Sequence, residues 1–113
     1  MTLADAAPQV LASFQERLRR DRATIAGLLA RLRADATWHE IAADIVEIES
    51  LAHRLAGAAG TFGYAALGAA ASEVERLTEG WRKRPPTGLT PRRHALLRRR
   101  VAALLGALAR ARR

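Results

Sequence analysis

Cysteine is absent from the 113 residues, which excludes disulfides and thiolate-held metals and makes a reducing compartment the natural home. No apolar run approaches the ~20 residues that a membrane helix needs. The opening Met1-Thr2-Leu3-Ala4-Asp5 has neither the basic nor the apolar region of a signal peptide. A soluble, cytoplasmic chain with no membrane partner is expected. Aromatic residues are only 4% of the sequence, too few for a base-stacking surface, and no helix-turn-helix or zinc signature is present. There is no Ser/His/Asp set, no glycine loop for phosphate and no nucleotide site. His39, His53 and His94 stand in three separate segments, so no metal site is expected. Lysine occurs once, as Lys83, so the formal net charge of +8 is carried almost wholly by arginine.

Alanine, leucine and arginine dominate instead, and residues that favour strands are sparse, which points to helix throughout. Four segments carry apolar residues at helical spacing, at roughly 6–34, 38–60, 64–83 and 91–110. In the first, Leu11, Phe14, Leu18, Ile25, Leu28 and Leu32 keep the rhythm, with a lapse at Arg19-Arg20-Asp21-Arg22 that leaves open the end of a short extra N-terminal helix, a kink, or one long helix running through. The second opens on Thr37-Trp38-His39-Glu40, the spacing of a capping box, and continues through Ile41, Ile45, Ile48, Ala52 and Leu55. Thr61-Phe62-Gly63 makes a tight connection to the third, whose stripe is Leu67, Ala70, Val74, Leu77 and Trp81. Pro85-Pro86 stops that helix. Thr90-Pro91 starts the fourth, built on Leu97, Val101, Leu104 and Leu108, with His94 on its exposed first turn. Short connections make neighbours antiparallel, so residues 1–113 are expected to form one domain, an all-α up-down four-helix bundle.

The chemistry is concentrated in Ala52-His53-Arg54-Leu55-Ala56-Gly57-Ala58-Ala59-Gly60-Thr61-Phe62-Gly63. With ~100° per residue, His53 lies about 140–160° from the core positions Ile48 and Leu55 and faces water. Its outer-face neighbours are Val46, Glu49, Ser50, Gly57 and Gly60, so the helix beyond it is nearly bare of side chains. Glycine inside a helix costs ~1 kcal/mol relative to alanine. Close approach of another protein to the imidazole is a physical reason to retain it. Val46 offers an exposed apolar contact on the same face, and Phe62 or Tyr64 would flank it, although for Phe62 ordinary core at a helix end is the favoured reading.

This stretch resembles the signature of histidine-containing phosphotransfer (HPt) domains, through His53, Leu55, Gly57 and Gly63, with small Ala58 and Ala59 and apolar Phe62 between them. The family's usual lysine position is Ala56 here. The resemblance implies a phosphocarrier rather than a self-contained enzyme. His53 would accept a phosphoryl group from an aspartate on a response-regulator receiver domain, or from a hybrid histidine kinase, and pass it on. Mg²⁺ would sit on the partner, so no cofactor is expected on this chain. Arg54, or a basic residue from another helix, would help with phosphate charge, Glu49 would orient the ring, and Gly57, Gly60 and Val46 would serve docking. The size and Met1 start suggest a stand-alone, monomeric shuttle. Two other readings fit the residues: a basic helical nucleic-acid-binding protein, drawing on Arg82-Lys83-Arg84, Arg92-Arg93 and Arg98-Arg99-Arg100, and an adaptor that docks on a kinase or receiver without transferring phosphate.

Overall fold

Thr37 starts a helix in the way its spacing from Glu40 requires: its hydroxyl accepts from the Glu40 amide, and the Glu40 carboxylate accepts in return from the Thr37 amide. In the computed structural model, which describes residues 8–111, this is the second of four helices: α1 (Pro8–Arg31), α2 (Trp38–Phe62), α3 (Ala65–Lys83) and α4 (Pro91–Ala109). No strand occurs among the described residues. Each helix packs on its neighbours in the chain, and α1 closes the ring against α4, giving the all-α four-helix bundle expected of the sequence.

The boundaries differ from the periodicity in instructive places. α1 runs unbroken through Arg19-Arg20-Asp21-Arg22, so of the open readings the one long helix holds, and no separate leading helix stands within the described residues. Phe14, Leu18 and Ile25 all reach the core, and the lapse is simply the solvent-facing turn between them. The expected start at Ala6 lies outside the described residues. α1 also ends at Arg31 rather than Ala34. Arg98 of α4 donates to the carbonyls of Leu32 and Leu29 there, satisfying acceptors that a helix end leaves open. α2 continues to Phe62, and only then does Gly63 turn the chain with φ 81°. The left-handed conformation suits glycine, and the Tyr64 amide reaches back to the Ala59 carbonyl at 2.8 Å, closing the helix end.

α2 and α3 form the tightest pair because their facing residues are small. Ala52, Ala59 and Ala71 are fully buried, and a Cβ added at Gly68 would lie 3.5 Å from the Ala59 Cβ. Ile41, Ile45, Ile48 and Leu55 of α2 fill the centre with Leu67 and Val74 of α3 and Leu97, Val101 and Leu104 of α4. Aromatic residues close both ends. Phe62 stacks on Phe14 of α1 with ring centroids 4.3 Å apart, Tyr64 meets Phe14 edge-on, and Trp38 meets Trp81.

His94 corrects the sequence reading. It is buried, only 5% exposed, and its Nε2 has no hydrogen-bond partner among the described residues. Its place is three residues before Leu97, so it begins the stripe that continues through Val101, Leu104 and Leu108. Leu77, Trp81 and Ala70 are only partly buried, at the margin of the core they were expected to fill. Asp44 is a buried carboxylate on α2 and receives a 2.9 Å hydrogen bond from Arg31 Nε. That bond raises the Arg31 guanidinium above its ordinary pKa. No helix among the described residues is long and apolar enough to cross a membrane.

Candidate functional site

Midway along α2 the core stripe leaves His53 outside, and its side chain is 74% exposed. Nδ1 lies 2.5 Å from Oε2 of Glu75, which reaches across from α3. A carboxylate can only accept, so in the neutral ring the hydrogen sits on Nδ1 and the lone pair on Nε2. The contact turns an ordinary surface imidazole into one held with a basic nitrogen facing outward.

An open cleft of about 370 Å³ runs along the α2–α3 seam beside the ring, lined by Val46, Glu49, Ser50, His53, Glu75, Glu79 and Arg82. Its far end is tied by Arg82 of α3, whose Nε donates to both oxygens of Glu49 at 2.7 and 3.2 Å. Lys83, one turn after Glu79 and hydrogen-bonded to it, holds that carboxyl below its ordinary pKa. The opposite flank of His53 is basic. The charges of Arg54, and of Arg17 and Arg20 on α1, act on Asp21. Burial pushes the Asp21 carboxyl above its ordinary pKa against the pull of these three arginines. The ring thus stands between an acidic seam and a basic one.

Beyond His53 the surface is open. A Cβ placed at Gly57 or at Gly60 would meet no atom within 4 Å. Neither glycine is required by packing within the bundle. With this geometry in view, the match of the Hpt domain family model to residues 9–111 is decisive. The chain belongs to the Hpt family. It is therefore a histidine phosphotransfer module of phosphorelay signalling, a class that works with kinases and receiver domains. No curated protein and no solved structure matches it.

Within this Hpt domain the residues singled out by sequence separate into three groups. His53, Glu49 and Val46 line the cleft together, with Val46 60% exposed. Gly57 and Gly60 lie exposed further along the same helix. Arg54 does not line the cleft; it belongs to the α1 side. Glu49 does not orient the ring either: its carboxylate is taken by Arg82, and Glu75 holds that position. Tyr64 is 3% exposed and packs on Phe14, so it flanks no docking surface. Phe62 is half-buried in the same stack, as core at a helix end. His39 is exposed at the start of α2. Among the described residues no group of three or more histidines and carboxylates is placed to hold a metal ion.

The missed residue is Glu75. A signal for it existed, since Glu75, Glu79 and Arg82 recur at i, i+4 and i+7 beside the buried Val74 and form a polar stripe on α3. Pairing that stripe with Glu49 and His53 needs the register of the α2–α3 hairpin. The turn at Gly63 sets this register, and periodicity alone does not.

Proposed function

We propose that this chain is the phosphohistidine intermediate of a phosphorelay, with His53 Nε2 as the atom that takes the phosphoryl group from an aspartyl phosphate on a receiver domain. Nε2 attacks phosphorus and forms the N–P bond. The P–O bond to the aspartate breaks, and its electron pair leaves with the carboxylate. The ring gains positive charge as this happens, and the Glu75 carboxylate at Nδ1 balances it. Reversal of the same steps returns the group to a second aspartate. The attacking and leaving atoms must line up around phosphorus, so the partner has to come into contact with α2. Mg²⁺ belongs to that partner, and this chain contributes nucleophile, orientation and docking surface.

The observation that carries this reading is an exposed imidazole tied through Nδ1 to a carboxylate beside two glycines that the bundle's own packing does not need. The test is incubation with phosphorylated receiver domains, followed by mass spectrometry. Acid-labile phosphate on His53 is expected. A chain that binds receivers and never becomes labelled would be the docking adaptor instead.

Glu75 is a positioning residue in this scheme. Without a partner at Nδ1, imidazole favours its hydrogen on Nε2, the nitrogen needed for attack. Glu75→Ala is expected to slow phosphate acceptance on the order of ten- to a hundredfold and to shift the ring toward the Nε2–H tautomer in nitrogen NMR spectra. Glu75→Gln, whose amide oxygen still accepts from Nδ1–H, is expected to keep the tautomer and lose less rate. Wild-type tautomer and rate in the alanine variant would remove Glu75 from the mechanism.

A further inference from the structure

A phosphoryl group on His53 raises a charge problem. It carries about −1.5 to −2 at neutral pH, and the cleft beside it already holds the carboxylates of Glu49, Glu75 and Glu79. Position 56, where the resemblance leads one to expect a lysine, is a half-buried alanine. Arg54 does not line the cleft, and its charge acts on Asp21 of α1. Lys83 does not line the cleft and is hydrogen-bonded to Glu79. Arg82 is the one arginine or lysine among the residues lining the cleft that holds His53.

We propose that Arg82 is the phosphoryl-binding cation of this domain, supplied from α3 in place of the missing lysine on α2. This rests on His53 as the phosphorylated residue. The arrangement suits the task. Glu49, which holds Arg82, precedes His53 by four residues and therefore lies one helical turn away on the same face. The hydrogen bonds to Glu49 use Nε alone, and among the described residues the two terminal nitrogens of Arg82 make no hydrogen bond. The side chain is 51% exposed, so its flexible stem is free to swing. A dianionic phosphoryl group attracts a guanidinium more strongly than a single carboxylate does, and guanidinium matches phosphate oxygens in a two-pronged geometry. Glu49 thus parks the cation one helical turn from the ring in the unphosphorylated state, and the phosphoryl group draws it along the cleft.

The test uses the full chain phosphorylated with phosphoramidate. Nε2 attacks phosphorus, the P–N bond of the donor breaks, and ammonia departs with its electron pair, so no partner protein is needed. Phosphorus NMR then follows the second ionisation of the phosphoryl group, which a bound guanidinium lowers. Arg82→Ala is expected to raise that pKa by about half a unit, Arg82→Lys to keep part of the lowering, and Arg99→Ala, which removes an exposed charge from α4, to leave it in place. Because losing Arg82 also leaves Glu49 unpaired, the comparison is repeated in a Glu49→Gln background, where the rise should persist. Normal labelling of His53 with no rise in that background overturns the role of Arg82 alone. Failure of His53 to take the label overturns the relay assignment and this proposal with it.

Discussion

A His53→Gln chain is expected to fold like the wild type and to accept no phosphoryl group. The side chain is 74% exposed, so its replacement opens no cavity, and exposed substitutions usually change stability by no more than about 0.5 kcal/mol. Glutamine can still meet Glu75 through its amide hydrogens, which keeps the α2–α3 seam intact. Its nitrogen lone pair is delocalised into the carbonyl, so no nucleophile remains where Nε2 stood. Circular dichroism melts should overlay, while mass spectrometry after incubation with a phosphorylated receiver should find no acid-labile phosphate. Label arriving on the variant at the wild-type level would remove His53 from the relay. His94 is not a plausible substitute, because its ring is buried and would require α4 to leave the bundle. His39 is exposed but lies at the capped start of α2, roughly 20 Å along the helix from His53 and its glycine face.

What the sequence could and could not reveal follows from which interactions are local. The helices were legible because each is specified within its own span: Thr37 with Glu40, Thr90 with Pro91, and apolar residues every three or four positions. The outward direction of His53 was legible for the same reason, since Ile48 and Leu55 define the inward face. Contacts between helices were not. Glu75 lies 22 residues from His53 and Arg82 lies 33 from Glu49, so a one-turn slip of α3 against α2 would pair different residues. Glu49 was assigned to the ring because it shares a helix with it. The structure gives that contact to Glu75, a residue of the neighbouring helix. His94 and Tyr64 failed differently. Both carry polar atoms on large apolar bodies, and such residues go inside when a stripe or an aromatic stack offers cover. Tyr64 does so with its hydroxyl accepting from Gln15 at 3.4 Å, whereas His94 leaves Nε2 without a partner among the described residues.

Gly57→Gln is expected to move stability and function in opposite directions, which makes it the sharper test of the bare face. Glycine in the interior of a helix is less favourable than glutamine by roughly 0.5–1 kcal/mol. At position 57 a Cβ meets nothing within 4 Å, so no clash offsets that gain and the melting temperature should rise. The longer side chain would project into the space one turn beyond His53, where a receiver must come close for its aspartate to line up with Nε2. Displacement of the reacting groups by about 1 Å is enough to cost on the order of 100-fold in rate, so transfer between receiver and His53 should fall by at least that much. Small phosphoramidate needs no docking surface and should still label His53 at close to the wild-type rate. Gly57→Ala should gain most of the stability and lose little transfer, because a methyl group barely extends from the helix. A glutamine variant that is more stable and transfers as fast as the wild type would mean that the partner does not approach over this glycine, and that the nucleophile is reached from the acidic seam or the arginine side instead.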